Sequence, residues 1–95
     1  MSIEKLADCR RKIDAVDLRL LELLNERTRI VEEIGHIKQH LSLPIYEPKR
    51  EEDVFRNVTT NNSGPLSSEA VRRVFERIID EMRNIQKDKI VGHDT

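Results

Sequence analysis

A heptad pattern of apolar residues near the start of the chain constrains the fold more than any other feature. Written from Leu6, its seam positions are Leu6, Cys9, Ile13, Val16, Leu20, Leu23, Arg27, Ile30, Ile34, Ile37 and Leu41. No proline precedes Pro44, and the helix-favouring residues Leu, Glu, Arg and Lys dominate the segment. The pattern therefore predicts one long α-helix over residues 3–41.

This predicted helix is too long to bury its seam within a single chain of 95 residues. At about 1.5 Å per residue it is roughly 57 Å long, whereas a compact domain of this size has a radius of gyration of about 12 Å. Part of the apolar seam must therefore contact a second chain. We expect an intertwined helical homodimer.

Two shorter helices are predicted in the rest of the chain. Pro44 and Pro48 mark a connection, and Pro48 suits the first position of a second helix, at about residues 48–59. A polar loop follows, and Ser67 is the expected N-cap of a third helix, at about residues 67–90. The apolar positions of this third helix are Val71, Val74, Phe75, Ile78, Met82 and Ile85. The expected fold is all-α, with residues 1–95 forming one domain.

The composition excludes several classes of function. Charged and apolar residues each make up 37% of the chain, and the net charge is −1, which argues against a general nucleic-acid binder. The single cysteine, Cys9, cannot form an internal disulfide and suits a reducing compartment, and no apolar run reaches membrane-spanning length. We therefore expect a cytoplasmic protein that binds neither nucleic acid nor membrane.

Two cationic residues on the long helix point to an anionic ligand. Arg27 interrupts the apolar seam, where it could fix the register of a coiled coil or extend to water. Lys38 lies eleven residues later and returns to nearly the same side of the helix, about 16 Å further along the axis. Val31 and Ile34 lie between them on that face. This arrangement fits a small molecule with anionic groups.

Arg10 and Gln86 can each be interpreted in two ways. Arg10 is roughly 80 to 100° around the helix from Arg27 and Lys38, so it belongs either to a solvated face or to a site on a partner chain. Gln86 follows Met82 by four residues, and it is either a satisfied core amide or a donor directed into a pocket.

His36 and His40 are four residues apart but lack the Glu of the helical zinc motif, so no metal site is expected.

The order of these features resembles the small all-helical class of chorismate mutases. The resemblance covers almost the whole chain and is carried by residues 9–17, 20–27, 34–38, 43–51, 75–79 and Gln86. Within it, residues 43–51 are similar to the family's Pro-Val-Tyr-Asp-Pro-x-Arg-Glu segment at the start of the second helix. Each piece is short, but their order and spacing together are specific.

The resemblance implies an intertwined homodimer that converts chorismate to prephenate without a cofactor or a metal. By the family's motif, Arg27 and Arg10 of the partner subunit would hold the two substrate carboxylates. Lys38 and Gln86 would donate to the ether oxygen. The second helix would supply Glu51 for the ring hydroxyl and Arg50 for the charge network.

Two further positions of the implied substrate site differ from the family. Glu47 stands where the family often has Asp, which weakens capping of the second helix. Met82 stands where some members have Ser, which removes a contact to a carboxylate.

Two other functions remain open from the sequence. An isochorismate-pyruvate lyase shares the fold and the cationic site. Such lyases tend to lack the carboxylate that Glu51 provides here, so Glu51 favours the mutase. A non-catalytic helical dimerisation or regulatory module is the alternative of another class. Loss of chorismate on adding the protein would separate an enzyme from such a module.

Overall fold

The computed structural model describes residues 2–91 of the chain, with side chains described for residues 2–88. These residues form three α-helices and no strand: α1 is Ile3–Leu41, α2 is Pro48–Thr60 and α3 is Ser68–Val91. The prediction of an all-α fold is confirmed, and each helix begins and ends within one residue of its expected bound. No helix in this range has the length and apolar character that crossing a bilayer requires.

The chain falls into two compact units, which adjoin in sequence between Ile30 and Val31. The first unit consists of the N-terminal part of α1, and its apolar seam is open to solvent. The seam side chains here are between 48% and 62% exposed: Leu6, Ile13, Val16, Leu20, Leu23 and Ile30. Nothing in this unit covers the predicted seam. One domain over residues 1–95 stays a prediction, and its ends, residues 1 and 92–95, lie outside the described residues.

The second unit starts at Val31 and has a small core built by all three helices. Its buried apolar side chains are Val31, Phe55, Val71, Ile79 and Met82. Two polar residues, Lys38 and Gln86, are buried with them, each only 7% exposed. Burying an ammonium group and an amide costs free energy unless both are paired.

In the second unit, α1 packs through a stripe that lies beside the predicted seam. The buried residues of α1 are Val31, Gly35 and Lys38, whereas the seam residues Ile34 and Ile37 are 40% and 51% exposed. Ile34 therefore lies outside the buried core of the second unit, where the neighbouring Gly35 takes the inward position. The seam and the face used for packing within the chain are two separate stripes.

The C-terminus of α1 is closed by a Schellman motif centred on Ser42. The Leu43 N–H donates to the Lys38 carbonyl oxygen at 2.8 Å, and the Ser42 N–H donates to the Gln39 carbonyl oxygen at 3.2 Å. Ser42 has φ 56°, a left-handed conformation that glycine adopts more easily. This motif turns the chain directly after the turn of α1 that carries Lys38.

The start of α3 follows the sequence prediction, and its buried face agrees with that prediction in part. Ser67 caps the helix, because its Oγ atom accepts the Ala70 N–H at 3.1 Å. Val74 was expected to pack, yet it is 51% exposed. Val71 and Met82 are buried as expected, and Ile79 and Gln86 are buried with them. Gln86 therefore lies on the core-facing side of α3.

Candidate active site

Lys38 is buried in the core of the second unit, and protein oxygens already surround its ammonium group. Its Nζ atom donates to the carbonyl oxygen of Ile45 at 3.0 Å and lies 3.5 Å from the Oε1 atom of Gln86. It also pairs with the Oε1 atom of Glu47 at 2.6 Å. An ammonium group has three N–H donors, so these three acceptors satisfy it fully.

Gln86 faces Lys38 from α3, and two contacts fix the orientation of its amide. Its Oε1 atom accepts from Lys38, while its Nε2 atom donates to the carbonyl oxygen of Val31 at 3.3 Å. An amide nitrogen has two N–H groups, and the described residues offer an acceptor for only one of them. The amide can therefore donate a further hydrogen bond to a ligand.

Gly35 allows Gln86 to lie this close to α1. A Cβ atom at position 35 would be 3.5 Å from the Cγ atom of Gln86 and 4.0 Å from its Cα atom. An alanine would just fit, but a longer side chain would displace Gln86. The glycine thus sets the distance between α1 and this part of α3.

Glu47 directs its carboxylate at Lys38 rather than at the helix that it precedes. It is the N-cap residue of α2, yet its side chain makes no capping hydrogen bond. The backbone still starts the helix, since the Glu51 N–H donates to the Glu47 carbonyl oxygen at 3.0 Å. Pro48 at the first helical position favours the same start. The side chain is 46% exposed, so water can solvate its carboxylate when it leaves Lys38.

Glu51 lies one turn after Glu47 on α2, and Arg83 on α3 binds it. The Nη2 and Nε atoms of Arg83 lie 2.5 Å and 3.2 Å from the same carboxylate oxygen, Oε2. The two side chains are 25% and 23% exposed, for arginine and glutamate respectively. The other oxygen of Glu51, Oε1, accepts no hydrogen bond from the described residues. It is available to accept from a ligand.

The guanidinium group of Arg83 is held from other sides as well. Its Cζ atom lies 5.2 Å from the centroid of the Tyr46 ring, and its Nη1 atom is 3.4 Å from the Oδ1 atom of Asp80. The pKa of Arg83 lies above its usual value, because its side chain donates to Glu51 and the charge of that carboxylate favours the cation, against a smaller effect of burial. Arg83 therefore stays charged at every pH of practical interest.

The remaining predicted site residues lie in different settings. Met82 is buried at 7% exposure and belongs to the core, and Arg50 is exposed at the start of α2 without an ion pair among the described residues. Arg10 and Arg27 belong to the first unit, where Arg10 is exposed and Arg27 is half-buried. The roles expected for all four stay predictions.

The structure brings together Lys38, Glu47 and Gln86, and places the pair of Glu51 and Arg83 one helical turn away along both α2 and α3. Sequence reasoning missed Arg83. Its position three residues before Gln86 was the available signal, because residues three apart share a helix face. Within the described residues no three His, Cys, Asp or Glu side chains converge on a possible metal position.

Comparison with known proteins places this geometry in a family. Residues 9–87 match the family described as chorismate mutase type II. A chorismate mutase of Methanocaldococcus jannaschii is 31% identical over 86 residues, which cover 90% of this chain and 87% of that protein. A solved chorismate mutase of Helicobacter pylori in complex with prephenate superposes with a TM-score of 0.86 at 30% identity, covering 92% of this chain and 94% of that one.

A further group of relatives is much longer than this chain. The bifunctional chorismate mutase/prephenate dehydratase of Aquifex aeolicus is 34% identical over 89 residues, which cover 90% of this chain but only 25% of that protein. The chain thus spans about a quarter of the length of such bifunctional relatives. The family match extends over most of the chain and includes the buried Lys38–Gln86 pair. The chain belongs to the chorismate mutase type II family.

Proposed function

We propose that this chain is a chorismate mutase, which rearranges chorismate to prephenate without a cofactor. The observation that carries the proposal is the buried contact between Lys38 and Gln86, 3.5 Å from Nζ to Oε1. A cation and an amide donor side by side in a small core suit an oxygen on which negative charge develops. The prephenate bound to the Helicobacter pylori relative supports the same ligand class.

The reaction needs little from the protein besides shape and charge. A Claisen rearrangement moves electrons in a ring, so it requires no nucleophile, acid or base. The breaking C–O bond builds negative charge on the ether oxygen, which Lys38 and Gln86 would stabilise with N–H donors. The site must also hold a flexible dicarboxylate in its compact reactive conformation.

The two ion pairs around the proposed site offer no net positive charge to the two substrate carboxylates. Lys38 pairs with Glu47 and Arg83 pairs with Glu51, so these four charges cancel. A dianion therefore needs additional cations, and Arg27 and Arg10 are those that the family's motif supplies. We assign one carboxylate to Arg27 and the other to Arg10 of the partner subunit.

The start of α2 and the core supply the remaining proposed contacts. Glu51 would accept a hydrogen bond from the ring hydroxyl through its available Oε1 atom, and Arg50 would extend the positive charge of the site. Glu47 would leave Lys38 when the substrate enters. Met82 would line the site as an apolar wall where some relatives have a serine.

The exposed apolar seam of α1 supports a homodimer. Burying the exposed half of a leucine or isoleucine contributes about 1 kcal/mol, and the seam offers many such side chains at helical spacing. A second copy of the chain presents the same seam, so the two can cover each other. We further propose a cytoplasmic location, since Cys9 has no partner cysteine in the chain.

The decisive experiment is to follow the absorbance of chorismate on addition of the purified protein and to identify the product. Prephenate is the expected product. Lys38→Met should lower kcat/KM by at least about 100-fold, because it removes the charge at the ether oxygen. Lys49→Met, at an exposed position on α2, is the matched control and should leave kcat/KM unchanged.

The same samples separate the alternatives. Release of pyruvate from isochorismate, with no prephenate formed from chorismate, would assign the chain to the lyase. Binding of chorismate without loss of absorbance would indicate a non-catalytic module. Equal activity of the Lys38→Met and Lys49→Met proteins would remove Lys38 from the site.

A further inference from the structure

Glu51 is an unusual residue for a site that takes a dianion, because its own negative charge repels the substrate. Arg83 reduces this repulsion, because it pairs with the Glu51 carboxylate. Two of its N–H groups converge on the Oε2 atom, at 2.5 Å from Nη2 and 3.2 Å from Nε, and leave Oε1 without a hydrogen bond from the described residues. The carboxylate is thus neutralised on one side and open on the other.

Arg83 is itself fixed by groups from three elements. Glu51 binds it from α2, Asp80 lies 3.4 Å away on α3, and the ring of Tyr46 packs against it from the connection between α1 and α2. Tyr46 stands between Ile45 and Glu47, both of which contact Lys38. A guanidinium group held this way has little conformational freedom, and it restricts the orientation of the Glu51 carboxylate that it binds.

We propose that Arg83 is a positioning residue with two effects on Glu51. It orients the Glu51 carboxylate so that Oε1 faces the ring hydroxyl of the substrate. Its positive charge also offsets the negative charge of that carboxylate, which would otherwise repel the dianion. The inference rests on the proposed function, since it needs chorismate as the ligand and Glu51 as the residue that receives its hydroxyl. It assigns no direct substrate contact to Arg83.

The chain provides a matched pair for comparison. Arg72 also links α3 to α2, with its Nη2 atom 3.0 Å from the Oε1 atom of Glu52, and its Cζ atom lies 4.2 Å from the centroid of the Phe55 ring. The two arginines thus make the same kinds of contact, an ion pair and an aromatic packing partner. Neither Arg72 nor Glu52 has a role in the proposed site.

The test compares Arg83→Met, Arg83→Lys, Arg72→Met, Glu51→Ala and the double variant Glu51→Ala/Arg83→Met. Arg83→Met should lower kcat/KM about 10-fold to 100-fold, mainly through a higher KM, since a free glutamate must be ordered and repels the dianion. Arg83→Lys should recover part of this loss because it restores the charge without the two-point contact. Arg72→Met should keep the native kcat/KM.

The double variant shows whether Arg83 acts through Glu51. Its kcat/KM should equal that of Glu51→Ala, because Arg83 has nothing left to position. A chorismate analogue without the ring hydroxyl should likewise lose little further activity on Arg83→Met. Losses that multiply in the double variant, or an Arg83→Met protein with native kcat/KM, would overturn the proposal.

Failure of the inference differs visibly from failure of the proposed function. An unmodified protein that does not consume chorismate removes the function, and the inference with it. A native enzyme whose Glu51→Ala variant is fully active would overturn the inference and leave the proposed function in place. Circular dichroism and melting curves check that each variant is folded, and Arg83→Lys serves as the test protein if Arg83→Met does not fold.

Discussion

The Nζ atom of Lys38 lies 2.6 Å from the Oε1 atom of Glu47, although the lysine side chain is 9% exposed and the glutamate side chain 46%. A substrate anion that approaches Lys38 must therefore displace a carboxylate of the protein. Because Glu47 is half exposed, water can take over its hydrogen bonds as it leaves. The Glu47 carboxylate therefore competes with the substrate for the ammonium group of Lys38.

We predict that Glu47→Gln binds chorismate more tightly. Removal of a competing charge at a partly exposed pair is worth about 1 kcal/mol, so KM should fall roughly fivefold. The buried lysine loses its counterion, so the variant should also melt at a lower temperature. Steady-state kinetics at low ionic strength measure the first effect. Glu52→Gln, which alters an exposed pair with Arg72, is the control and should keep the native KM; a KM that rises in Glu47→Gln would refute the competition.

A second prediction concerns the two arginines of the first unit. Arg10→Ala and Arg27→Ala should each be inactive as pure proteins, because each lacks a partner for one carboxylate. When the two are unfolded and refolded together, about half of the dimers are mixed and one of their two sites is intact, which gives about a quarter of the native activity. Heterodimers are confirmed by mass spectrometry. Confirmed heterodimers without activity would place both arginines in the site of one chain.

A third prediction concerns the amide of Gln86. Gln86→Glu keeps the size of the side chain, but an ionised carboxylate cannot donate to the ether oxygen and repels its developing charge. Only the protonated acid can replace the amide, so kcat/KM of the variant should rise as the pH falls. The native protein should show no such requirement. We would measure both pH profiles on folded protein; parallel profiles would mean that Gln86 does not face the breaking bond.

A fourth prediction concerns the end of α1. Ser42 has φ 56° in a motif that favours glycine, so Ser42→Gly should raise the free energy of unfolding by about 0.5–1 kcal/mol. Thermal or urea unfolding measures the difference. Ser63→Gly in the loop before α3 is the control, because Ser63 does not have a positive φ, and it should give no gain. An Ser42→Gly protein that is less stable than the native one would mean that Ser42 is not strained.

The sequence predicts the helices well, because local patterns determine them. The absence of proline before Pro44, the position of Pro48 at the start of α2 and the capping by Ser67 are all local features, and the structure reproduces them. The end of α1 at Leu41 was also predicted, but the motif that closes this helix was not. A serine at position 42 gives no indication of a Schellman motif, which usually uses glycine.

The packing of the helices is harder to predict, since it depends on contacts between distant residues. Hydrophobicity favours Ile34 as a core residue, yet Gly35 is buried because it admits Gln86. Arg83 was missed for the same reason, because a charged residue among other charged residues of α3 carries no local sign of its partner Glu51. In contrast, Lys38 and Gln86 were candidates from the sequence, and the structure buries them together, while their role at the ether oxygen stays a prediction.

The two stripes of α1 in the second unit give neighbouring residues separate physical effects. Gly35 packs within the chain, so a change there should shift the melting temperature equally at every protein concentration. Ile34 is on the exposed stripe, and in the proposed homodimer its replacement should weaken association, so that the loss of melting temperature grows as the protein is diluted. Adjacent positions on one helix thus affect two different equilibria: folding within one chain and association of two chains. A dilution series on a variant at each position can measure folding and assembly separately.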